Sequence, residues 1–184
     1  MKTISNLIPM LLQMTDIQND EIQLNVYRCL GKIMIETDIK TMANPQKVAS
    51  MYIDYINNTM NDFNKTERFI SLLQSLVNFV QHDQVKIQLI KQSALPLLIK
   101  CVIEIRFDSI NVQQIALEIL ALALNNNALE TLKQNQIVIN HIQILSNNSN
   151  STIISLPRAA ETLLWKLEKE EKSINKSIIS NKYK

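Results

Sequence analysis

Apolar residues recur along the chain at the three- and four-residue spacing of one helical face, and the pattern predicts a succession of amphipathic helices. The most legible covers residues 112–124, where Ile115, Ala116, Ile119, Leu120 and Ala123 line up on one side. With Leu120 as a marker, the same local pattern appears at Leu30 (Val26-Tyr27-Arg28-Cys29-Leu30-Gly31-Lys32-Ile33), at Leu76 (Leu72-Leu73-Gln74-Ser75-Leu76-Val77-Asn78-Phe79) and at Leu164 (Ala160-Glu161-Thr162-Leu163-Leu164-Trp165-Lys166-Leu167). The markers are 46, 44 and 44 residues apart. That spacing falls in the range of about 40–47 residues expected of repeats built from two or three helices.

Between the marker helices the pattern predicts shorter ones. Residues 4–14 form a first helix with Leu7, Ile8, Leu11 and Leu12 on one face, and Asp20 is the expected N-cap of the helix over 21–35. Asp38 is the expected cap of a short helix ending near Asn44-Pro45, because proline disfavours a helical residue before it. Helices follow over 48–61, with Met51, Tyr52, Tyr55, Ile56 and Met60 inward, then 67–80, and 83–91. The next opens with Ala94-Leu95-Pro96-Leu97-Leu98, where proline fits a first helical turn. After the helix over 110–124 come 128–133 and 137–145, a polar linker at 147–151, and a last helix over 157–171. The expected organisation is one repeat domain over 1–172 with a polar tail over 173–184. Each unit reads as short, medium and long helix, and such units bury their apolar faces by stacking on one another.

Composition narrows the class. Hydrophobic residues make up 46% of the 184, while one glycine and four prolines leave little for hairpins, so the fold class is all-α. Nineteen basic against seventeen acidic residues, without a long block of either sign, argues against the clustered cations of a nucleic-acid binder. No stretch reaches the ~20 apolar residues of a membrane span, and Pro9 interrupts the only leader-like run. Cys29 and Cys101 read as small core residues, and the expected location is the cytosol or nucleus. The sequons at Asn57, Asn64, Asn147, Asn150 and Asn175 follow from asparagine richness alone.

The chain resembles the armadillo repeat over nearly its whole length. Armadillo units carry a short first helix, a second opening with a proline-containing apolar segment, and a long third patterned Ala-Ala-x-Ala-Leu-x-Asn-Leu. Residues 83–91, 94–105 and 110–124 match in order and length, and Leu7-Ile8-Pro9-Met10-Leu11 repeats the proline segment 87 residues before Pro96. Ser93 stands where the family usually has glycine between its first two helices, which keeps the related two-helix HEAT repeat open. The resemblance implies a right-handed superhelix, an α-solenoid of about four repeats, whose third helices line a concave groove for a protein or peptide. Importin-type members display Trp and Asn there, four residues apart. The Asn positions here hold Lys32, Asn78, Leu122 and Lys166, and the Trp positions hold Arg28, Gln74, Glu118 and Thr162. Only Asn78 agrees, which argues against importin-like binding of nuclear-localisation peptides.

These eight residues are the candidate partner groove, and their alternative reading is the ordinary polar side of amphipathic helices. The segment Arg158 to Glu168 is also similar to the end of armadillo regions that precede a TIR domain in invertebrate signalling proteins. That similarity implies a regulatory module, autoinhibitory or sensing a nucleotide metabolite. His82 and His141 stand far from each other and from both cysteines, and neither a phosphate-cradling glycine loop nor a glycine-flanked serine occurs. No catalytic, cofactor or metal residue is therefore expected. Trp165 is expected to pack against the preceding repeat.

Overall fold

The computed structural model of the chain describes residues 7–40, 42–60, 66–104, 110–123, 126–148 and 154–182. Among these it is all-helical, with eleven helices and no strand. The beginning of the first predicted helix at Ile4, residues 61–65 between two predicted helices, and residues 149–151 of the linker predicted over 147–151 lie outside the described residues. The chain divides into two compact units, Met1–Leu97 and Leu98–Lys184.

The first unit contains α1 (Leu7–Met14), α2 (Asp20–Ile33), α3 (Glu36–Lys40), α4 (Pro45–Met60), α5 (Thr66–Phe79) and α6 (Asp83–Lys91); α7 (Ala94–Ile103) spans the division. Helix starts follow local chemistry. Asn19, not Asp20, caps α2: it adopts extended backbone and its side chain accepts from the Ile22 amide at 3.0 Å, so Asp20 becomes the first helical residue. Asp38 lies inside α3 and reaches back to the Ile35 amide at 3.2 Å, half of a capping box in place of the predicted cap. Helix α4 begins three residues before the apolar pattern does, because Asn44 takes φ 57° and Pro45 then sits in the first turn. His82 caps α6, its Nδ1 accepting from the Gln84 amide at 3.1 Å. Between α6 and α7, Ser93 has φ 59°, the left-handed region that glycine ordinarily occupies.

Helices α2 and α5 pack closely in this unit, with Leu24, Leu30, Leu72, Leu73 and Leu76 fully buried. Gly31, the single glycine of the chain, permits the approach: a Cβ there would stand 3.0 Å from Phe79 Cε2 and 3.1 Å from the Ser75 carbonyl oxygen. The Phe79 ring meets Tyr27 edge-on at 6.2 Å and Tyr52 at 5.6 Å. The Tyr52 hydroxyl lies 2.8 Å from Ser75 Oγ, and Ser75 Oγ donates to the Leu72 carbonyl at 3.0 Å. Ser75 thus spends its proton on the backbone, and Tyr52 is the donor between the two hydroxyls. Burial holds the Tyr52 phenol protonated well above its usual range.

The second unit contains α8 (Ile110–Ala123), α9 (Asn126–Gln134), α10 (Gln136–Ser146) and α11 (Ser155–Lys182). Helix α11 packs on both α8 and α10. Val112, Ala116, Leu117, Ile119 and Leu120 of α8 are buried with Leu129, Leu132, Ile142, Ala160 and Leu163. The backbone of α11 remains helical to Lys182, past the predicted end at residue 171. Of the marker leucines, Leu30, Leu76 and Leu120 are buried and Leu164 is half-buried, with Leu163 and Leu167 taking the inner positions of α11.

Two expectations of burial are corrected. Cys101 is buried but Cys29 is exposed, because it lies round α2 from the stripe of Val26, Tyr27 and Leu30. Trp165 is 60% exposed. Two residues from both Leu163 and Leu167, it projects from the opposite side of α11.

Candidate functional site

In the first unit, Arg28 and Lys32 lie one turn apart on α2, and Gln74 and Asn78 one turn apart on α5. Two of the four hold the helices together. The Arg28 guanidinium donates from Nη2 and Nε to Ser71 Oγ at 2.7 and 3.2 Å, and from Nη1 to Asn25 Oδ1 at 3.0 Å. The Asn78 amide donates to the Gly31 carbonyl across the same helix pair. Lys32 and Gln74 are exposed. Beside this pair Arg68 donates to Glu21 Oε2 at 2.6 Å while its guanidinium lies 5.7 Å from the Tyr55 ring centre. An open hollow of about 400 Å³ is lined by Met51, Asp54, Tyr55, Asn57 and Asn58. All five lining residues belong to α4, so it is a surface groove along one helix.

The second unit treats its four candidates similarly. Glu118 accepts from Gln114 Nε2 at 2.9 Å, one turn back on α8, and Thr162 Oγ1 donates to the Arg158 carbonyl at 2.8 Å within α11. Lys166 Nζ donates to the Ala121 carbonyl at 2.6 Å, tying α11 to α8. Leu122 is 37% exposed. Polar braces also close the end of α7, where the Val102 carbonyl meets Gln113 Nε2 at 2.8 Å and His141 Nε2 at 3.1 Å.

One kind of bond recurs within each unit, and the residue pattern did not reveal it. Asn78 and Lys166 each stand two residues after their marker leucines, and Gly31 and Ala121 one residue after theirs. In both units a polar side chain on the later long helix therefore donates to the same backbone position of the earlier one. The marker spacing of 46 and 44 residues was the signal from which this pairing could have been found. A main-chain carbonyl leaves no mark in residue type, so the acceptor stayed hidden.

Chemically the candidate row is seven hydrogen-bonding side chains, several already engaged, and the aliphatic Leu122, with Lys32, Gln74 and Leu122 turned to solvent. Among the described residues no three His, Cys, Asp or Glu side chains gather as metal ligands. Burial pushes the Cys101 thiol up to about 12, which keeps it protonated and unreactive at neutral pH. Among the described residues no helix is long and apolar enough to cross a membrane. Comparison with protein-family models, curated proteins and solved structures finds no match for the chain.

Proposed function

We propose that the chain is an armadillo-type interaction module, a right-handed solenoid of about four repeats that binds a protein or peptide along its long helices and performs no chemistry of its own. The observation that carries this reading is the recurrent inter-helix bond, Asn78 to Gly31 in one unit and Lys166 to Ala121 in the other. Two long-helix pairs that reuse one bond at one register behave as copies of a single unit. Ser93 adds support. It stands where armadillo units have glycine, and it takes glycine's left-handed backbone despite its side chain.

Within this reading Arg28, Asn78 and Lys166 tie long helices together, Glu118 and Thr162 are engaged within their own helices, and Lys32, Gln74 and Leu122 remain for contact with a partner. An extended peptide offers backbone groups to the Gln74 amide and an acidic side chain to Lys32. The test is to select peptides by display against the wild-type protein and to measure their affinities for it and for Lys32→Glu with Gln74→Glu. Both residues are exposed, so the fold is retained, as far-UV circular dichroism will verify. A tenfold or greater change in affinity is expected; identical affinities for every selected peptide would remove these residues from the account.

A further inference from the structure

In each unit the position one residue after the marker leucine is where the next long helix settles: α5 donates to Gly31 of α2, and α11 donates to Ala121 of α8. On α11 the corresponding position is Trp165, which is 60% exposed. The position that on α2 and α8 receives a bond from the later long helix is here exposed and carries the only tryptophan in the chain. Tryptophan is enriched among the residues that dominate association energies.

We propose that this face of α11 docks on the same face of a second copy, as two antiparallel helices related by a twofold axis at Trp165. The charges on the face argue for this occupant. Glu161 and Lys169 stand one turn before and one turn after Trp165, and both are exposed. Lys169 Nζ lies 4.9 Å from the Trp165 ring centre, so the cation belongs to the same surface as the indole. An antiparallel twofold sets Trp165 against its symmetry mate and each Glu161 beside the other copy's Lys169, while Thr162 meets Glu168. No like charges face each other near the axis. A parallel arrangement would instead set Glu161 on Glu161 and Lys169 on Lys169.

A contact made by one helix face belongs to the small class of interface, below about 1,200 Å² in total, so the dimer is weak and forms at about 0.1–1 mM. The proposal does not depend on peptide binding. Its test combines sedimentation equilibrium with the fluorescence of Trp165, the one indole present. With rising concentration the mass should move toward a dimer while the emission shifts to the blue as the ring leaves water. Glu161→Lys and Lys169→Glu should each weaken association at least tenfold, and the exchanged pair Glu161→Lys with Lys169→Glu should restore it to within about threefold. All three variants alter only the exposed positions 161 and 169, and circular dichroism checks their folding. A monomer with unshifted emission at 1 mM would overturn the proposal, as would a dimer indifferent to the single reversals or not restored by the exchange.

Discussion

Replacing Ser93 with glycine is expected to stabilise the protein, although most substitutions do the reverse. Ser93 ends the α6 segment with φ 59°, a conformation that costs a residue bearing a Cβ about 1–2 kcal/mol. Glycine removes that cost but makes the unfolded chain more flexible, an opposing term of about 0.5–1 kcal/mol. The Ser93 side chain is exposed, and its backbone amide bond to the Ile90 carbonyl at 3.2 Å does not involve the hydroxyl. The difference is a gain of about 0.5–1 kcal/mol. Urea unfolding followed by circular dichroism reads it directly: the midpoint should rise by about 0.3 M at unchanged slope. Ser93→Val is the counterpart and should lose more than about 1 kcal/mol, because a β-branched residue is least tolerated at positive φ. A lower midpoint for Ser93→Gly would refute the reasoning.

Three other perturbations follow from named contacts. Gly31→Ala gains about 1 kcal/mol of helix propensity but sets a methyl 3.0 Å from a Phe79 ring wedged between Tyr27 and Tyr52; overpacking of about 1–3 kcal/mol should win, giving a net loss near 1 kcal/mol in urea unfolding. A disulfide reagent should label one thiol of the native protein quickly, Cys29, and the second only in denaturant; two fast thiols would contradict the burial of Cys101. Cys101 also sets an alkaline limit. Burial pushes its thiol from the ordinary value of 9.0 up to about 12 in the fold, so its contribution is intact below pH 9 and is lost as pH rises toward 12. Cys101→Ala should therefore flatten the fall of stability over that window, measured as urea midpoints between pH 8 and 11.

The residue pattern carries the helices well and their consequences less well. Helix 83–91, the helix opening at Ala94 and the marker helices were legible because their apolar spacing, the Pro96 segment and the polar breaks point the same way. Starts at α2, α3 and α4 were missed by one to three residues because Asn19, Asp38 and Asn44 could each act in more than one capping geometry. Burial of Cys29 and Trp165 was misjudged for a different reason. Both neighbour apolar residues in sequence, whereas a helix turns adjacent residues about 100° apart, so adjacency to Leu30 or Leu164 says little about facing the core. In the candidate groove, residue type revealed which side chains are polar but not that Arg28, Asn78 and Lys166 are committed to Ser71, Gly31 and Ala121. The groups left for a partner become visible only once those bonds are drawn.

The claim that the long helices are the partner surface is tested most directly by amide hydrogen exchange of the protein saturated with a selected peptide. Added protection is predicted on α2 around Lys32, on α5 around Gln74 and on α8 around Leu122, with none on α4 or α10. Protection confined to α4 or α10 would contradict the claim.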